Sequence, residues 1–432
     1  MAVEHNPSAA AFLHSGRAAM ARVGESKSAY WPTADFGGNL TRSYSEPEGG
    51  AGRTGLLFNS ATSTATSASL SAQYTVWDSG VRKAAVAGSQ ASYEASDATY
   101  QATVQDLALS VESAFYSLEG SQWNLTVARE TQKQTGFHLD MAKAQHEVGL
   151  VPLSDVLQAA TQDANAKIVV IQAQNAVTAG RAALAVLMGF PADTALEIDA
   201  SDHQAPLPEL PNWTAGRDRA LSTLPEIRAA FQNSEALRFA IKQTEASYLP
   251  TVTANGAAGL FDAGNWPDRQ QWSAGLALRI PVFTGFARKY QVLQAKEAWE
   301  GSKMTLESTR LSAEKAAYDA RTQLDSSLQA VDAARSLVQS AQENSDVAEG
   351  QYKNGLGSMT NVVDATLSLS AAKYQLVSAR LAVVTALATW NRATGVDLLG
   401  GVALPSTAAP SAEPQGGPSA PRPSEPMGES KP

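Results

Sequence analysis

The chain has no cysteine, which excludes disulfides, thiolate metal sites, a cysteine nucleophile and a lipid carried on a cysteine of this sequence. No run of about 18 apolar residues occurs, so no transmembrane helix is expected and any membrane role needs strands. Basic runs are also missing. Lys and Arg number 33 against 42 Asp and Glu, giving a net charge of −9, and nucleic acid is not an expected partner. Met1 to Pro7 shows no charged segment leading into an apolar one, so an exported protein is expected to have lost its signal, or to begin upstream of this start. The five histidines, His5, His14, His138, His146 and His203, make no HExxH or other compact ligand set. His138 and His146, eight apart beside Glu147, read as solvated helix-face residues. No Gly-rich phosphate loop follows a strand and no GxSxG elbow is present. The expectation is a protein that is no enzyme and uses no cofactor or metal, with any energy coming from partners.

What is present is apolar content of 44% over 432 residues, enough for two ordinary domains or one elongated two-part structure. An internal duplication favours the second. Pro7 and Pro32 recur as Pro225 and Pro250 at an offset of 218. Val76-Trp77 with Arg82-Lys83 recurs as Val282-Phe283 with Arg288-Lys289, and Gly149-Leu150 with Gly189 as Gly355-Leu356 with Gly395, all at 206. The offsets differ by 12, which the Gly, Ser and Thr-rich stretch Gly49 to Ser67 absorbs as a longer loop in the first copy.

Each copy reads as helix, two strands, very long helix, turn and helix. From Ser67 to Val76 the residues alternate, with Ala68, Leu70, Ala72, Tyr74 and Val76 on one side; Trp272, Ala274, Leu276, Leu278, Ile280 and Val282 do the same later. About ten residues with one apolar face suit a membrane β-strand or a soluble sandwich strand equally. Apolar spacing then becomes heptad. Val104, Leu107, Val111, Ala114, Leu118, Ser121, Leu125 and Ala128 alternate steps of three and four, as do Val331, Ala334, Val338, Ala341, Ser345, Ala348 and Tyr352. With no proline in either run, each helix spans roughly 100 Å at 1.5 Å per residue. Four strands cannot close a barrel alone, and an open edge in lipid leaves backbone groups unpaired, so inserted strands require oligomers.

Taken together, the duplicated order, long helices and Gly-Leu turns resemble the TolC-like outer-membrane efflux family over about Asn6 to Gly395. The resemblance implies an α+β membrane protein, a homotrimer whose 12-stranded β-barrel continues into a 12-helix periplasmic α-barrel. It implies a passive exit duct of a tripartite efflux or type I secretion system, set in outer-membrane lipid and serving a periplasmic adaptor with an inner-membrane pump or ABC exporter. The alternative is a soluble or periplasmic coiled-coil scaffold. By the same resemblance, Val148, Gly149 and Leu150 with Asn354, Gly355 and Leu356 are adaptor-contact tips, Asn354 standing where valine is usual. Tyr352 and Asp155 fall at the entrance gate, whose arginine is replaced by Gly357. The acidic ring becomes Asn361 and Asp364, leaving one carboxylate per chain to favour cations at a narrow axis.

The expected division is a first repeat over 1–190, with strands near 33–45 and 67–77, a long helix near 81–148 and a helix near 154–188. A linker follows over 191–224. The second repeat covers 225–395, with strands near 251–262 and 271–283 and helices near 287–354 and 360–394. From 396 the chain is read as a disordered, dispensable tail, since eight prolines fall in the last 28 residues.

Overall fold

The computed structural model describes residues 5–45, 61–198, 207–262, 269–398 and 407. The elements are α1 (Pro7–Ser28), β1 (Thr33–Ser45), β2 (Ala61–Trp77), α2 (Val81–Glu147), α3 (Leu153–Leu187), α4 (Trp213–Thr223), α5 (Pro225–Ala246), β3 (Thr251–Asp262), β4 (Arg269–Arg279), α6 (Ala287–Lys353) and α7 (Met359–Ala393). Proline opens both α1 and α5, where its missing N–H costs nothing. The long helices end where glycine permits it. Gly149 has φ 75° and Gly355 φ 70°, and at each turn the next leucine N–H reaches back five residues, Leu150 to Gln145 and Leu356 to Gln351.

The four strands form one antiparallel sheet in the order β1-β2-β3-β4. Its register places Phe36, Leu70, Ala258 and Trp272 in one cross-strand row, and Tyr74, Ala254 and Leu276 in another. The two strand alternations read from sequence therefore share one apolar face, with Ser67, Ser69, Ser71, Ser273 and Arg279 on the other. No described element covers that face. Phe36 and Trp272 are nearly four-fifths exposed, and among the described residues β1 and β4 each keep an unpaired edge.

Helices pack in two tiers. Against the sheet-proximal halves of α2 and α6 lie α1 and α5; against the distal halves pack α3 and α7. The heptad positions form this seam: Val104, Leu118, Ala128, Val331, Ala334, Ser345 and Tyr352 are buried. The core is thin and runs along the rod as separate clusters, one of Leu324, Val331, Ala334 and Val383, another of Leu118, Val177 and Leu184.

Four boundaries differ from the sequence reading. β2 starts at Ala61, so the end of the supposed loop is strand, Ala65 and Ser67 pairing with Thr41 and Asn39; pairing overrides the weak strand preference of Ser and Ala. The rest of that loop lies outside the described residues. β4 stops at Arg279, because Pro281 cannot donate to a ladder and Gly285 turns the chain. The inter-repeat segment contains α4, capped by Asn212. Gly216 lets α4 lie on the Trp390 ring, and Arg217 meets Glu314 at 2.8 Å. Finally, Thr407 in the tail is buried, its hydroxyl 2.6 Å from Asp97 Oδ1 and 3.1 Å from the Tyr93 hydroxyl. The remaining tail residues beyond 398 lie outside the described residues.

Candidate functional site

The distal tips bring the expected gate residues together. Tyr352 is the last buried position of the α6 heptad stripe, packed with Ala142 of α2, Ala159 of α3, and Met359 and Val362 of α7. Asp155 lies in the first turn of α3, where a carboxylate complements the helix dipole. Burial first, and then the Asp155 carboxylate, push the Tyr352 phenol up to about 12. The Tyr352 hydroxyl nonetheless has no partner in full hydrogen-bond geometry, so the contact with Asp155 is loose and felt mainly as charge. It joins the α2/α3 hairpin to the α6/α7 hairpin. A second bridge lies beside it, Thr360 Oγ1 donating to Gln158 Oε1 at 3.3 Å.

Gly357 closes the second turn tightly. A Cβ there would stand 3.1 Å from Gln351 Cβ and 3.3 Å from Tyr352 N, so a longer side chain requires the turn to shift. Asn361 and Asp364 sit three residues apart on the exposed side of α7, opposite buried Val362, Ala365 and Thr366. At the turns, Val148, Leu150 and Leu356 are at least 70% exposed, an apolar knob at the rod's end. Asn354 is tied down instead, Nδ2 donating to Gly350 O at 2.7 Å.

Three features escape sequence reasoning. His138 is not a solvated residue: it is 4% exposed with neither ring nitrogen hydrogen-bonded. Burial holds its pKa below the ordinary imidazole value, Glu349 pulling it up and Lys353 pushing it down. His146 does face solvent, Nδ1 lying 2.9 Å from Val151 O. At mid-rod, Arg392 of α7 is buried and pairs with Asp106 of α2 at 2.8 Å and with Glu226 of α5. Thr407 is the third. The heptad stripe passes through His138 and Arg392 only as polar interruptions, and partners more than a hundred residues away leave no local signal.

A family model described as outer membrane efflux protein matches residues 1–190 and 216–396. The outer membrane protein TolC of Escherichia coli is 25% identical over 397 residues, 87% of this chain and 78% of that one. A probable efflux pump outer membrane protein of Pseudomonas putida, TtgC, is 28% identical over 319 residues, 70% of this chain and 63% of its own. Among solved structures, CusC, described in connection with transmembrane channel formation, superposes with a TM-score of 0.78 at 19% identity, covering 91% of this chain and 90% of that one.

Proposed function

Because the chain belongs to the outer membrane efflux protein family, we propose that it works as a passive exit duct assembled from three copies. It is an outer-membrane protein extending into the periplasm. The observation that carries the reading is the sheet: among the described residues, an exposed apolar face, two open edges, and hairpins of roughly 100 Å attached below it. A soluble scaffold gains nothing from such a face, whereas lipid covers it at no cost. Pairing of β4 with β1 of a neighbour removes both edges, and three copies give twelve strands, within the range of single membrane barrels.

The helices support the same stoichiometry by what they leave bare. Leu153, Leu157, Ile168 and Ile171 are exposed along α3, and Met304, Leu311 and Tyr318 are exposed at seven-residue spacing along α6. These are heptad stripes turned outward, with Tyr318 met edge to face by Trp213 of α4 at 5.4 Å. The Val148, Leu150 and Leu356 knob fits the adaptor end, and Tyr352 with Asp155 fits a gate between hairpins. An adaptor and an inner-membrane pump would supply cargo and energy. TolC is described as an outer membrane protein, TtgC as a probable efflux pump outer membrane protein and CusC in connection with transmembrane channel formation, which agrees with a duct in place of an enzyme.

The test is hydrodynamic. The purified protein should be a trimer that needs detergent, and a monodisperse, fully structured monomer in plain buffer would defeat the reading.

A further inference from the structure

The two passages from sheet to long helix are copies of one backbone carrying different chemistry. Ser79 and Gly80 have φ of 55° and 97°, and Gly285 and Phe286 have 61° and 63°. Val81 N donates to Asp78 O at 3.1 Å, and Ala287 N to Thr284 O at 3.2 Å. The arginine at the second position of each long helix stands over a tyrosine from the preceding helix end, Arg82 over Tyr30 at 4.8 Å and Arg288 over Tyr248 at 5.2 Å.

In the first copy this cradle holds an anion of its own. The Asp78 carboxylate accepts from Gly80 N at 3.2 Å, Arg82 N at 2.8 Å and Arg82 Nε at 2.9 Å. In the second copy the aspartate is Thr284. There α6 has no side-chain cap and no acidic residue in its first turn. Arg288 Nη1 is buried without a hydrogen-bond acceptor, and neither Arg288 nor Lys289 has an ion-pair partner among the described residues. The counterpart of that nitrogen, Arg82 Nη1, donates to Ala29 O at 3.2 Å, so the second copy lacks that bond as well as the carboxylate that Asp78 offers to the helix start and to Arg82 Nε.

The surroundings identify what supplies it. Val282, Phe283, Phe286 and Tyr290 are all exposed around the site, Phe283 and Phe286 meeting edge to face at 5.7 Å. They continue the apolar sheet face just past the end of β4, at the level where a membrane strand leaves hydrocarbon for headgroups. We propose that Arg288, Lys289 and the uncapped start of α6 hold the phosphate of an anionic phospholipid in the periplasm-facing leaflet, one per protomer, in the place that Asp78 fills in the first repeat. Free phosphate shares that charge, but it has no use for an aromatic collar; acyl chains do. The inference rests on the sheet being inserted in the membrane.

The experiment uses the full-length protein in detergent, supplied with phosphatidylglycerol or phosphatidylcholine and weighed by native mass spectrometry. Trimers should retain phosphatidylglycerol in preference, and Thr284→Asp, which restores the internal carboxylate, should weaken that retention about tenfold, the scale of losing charge-assisted bonds. Arg288→Gln with Lys289→Gln should do the same. Trimer formation by wild type is read in the same spectra, so failure to assemble counts against the duct and not against this site. Intact trimers that hold both lipids equally, unchanged retention in Thr284→Asp, or displacement of the lipid by millimolar inorganic phosphate would each overturn it.

Discussion

In the first repeat a 22-residue helix precedes the strands, a 67-residue helix follows them, and a 35-residue helix returns; in the second the lengths are 22, 67 and 35 again. Several polar side chains do not repeat. Asp155 corresponds by the offset of 206 to Asn361, Tyr352 to His146, Arg392 to Val186 and Asp78 to Thr284. Two contacts made by the unmatched groups cross from one repeat to the other, Asp155 toward Tyr352 and Asp106 with Arg392, while Glu226 joins Arg392 from within the second repeat. Backbone geometry is thus held by prolines, glycines and heptads present in both copies, while divergence has been free to build locks between them. Two identical halves could not carry a lock with unlike partners at a single site.

The sheet is where the halves are most alike, and it should tolerate least. Leu276→Arg, on the face shared by both repeats, should weaken insertion by about 2–4 kcal/mol at mid-bilayer depth, while Arg279→Ser on the opposite face should alter conductance and leave assembly intact. Heat-modifiable trimer bands and bilayer recordings read the two, and equal tolerance would break the assignment of faces.

Next in size is the mid-rod ion group, present on one side only. Arg392→Leu should lower stability by about 1–3 kcal/mol, less than a sealed ion pair because Asp106 can return to water. The Asp106 side chain is already 63% exposed. Val186→Arg at the matching place should change little, since Val186 is exposed. Thermal melts of both variants would blur the comparison if the two losses were alike.

At the tips a smaller effect is expected. Tyr352→Phe keeps the ring packed and removes only a loose contact, about 1 kcal/mol or less. Folding should be unaffected while single-channel conductance rises. Asp364→Ala should reduce cation preference with no change of assembly. Unchanged conductance in the first and unchanged selectivity in the second would separate these residues from the entrance.

The slightest effect concerns His138, whose repeat mate is Asn344. Its folded pKa is depressed below the ordinary 6.5, chiefly by burial, so the unfolded chain takes the proton first. Stability is therefore complete above that value and falls as pH drops below it. The charged groups facing it are Glu349 and Lys353 of α6, with Asp163 of α3 beside neighbouring Gly136. His138→Phe should flatten the acid limb of a melting-temperature profile, and a profile identical to wild type would exclude this histidine as its cause.

Much of the architecture was legible because its causes are local. Gly149 and Gly355 announce left-handed helix ends, the heptads announce partners, and the alternation through Leu70 and Leu276 announces one-sided strands. The duplication made each signal count twice. By itself the sequence therefore determined the element order, the rod-like helices and the faces of the sheet. Tertiary structure alone decided that the two strand pairs share one apolar face, that Ala61 to Ser67 pairs as strand, that α4 and Thr407 dock at mid-rod, and that His138 is buried. The physical reason is range: caps and periodicities act within a few residues, whereas burial and ion pairing depend on groups that only the closed fold brings within a few ångströms.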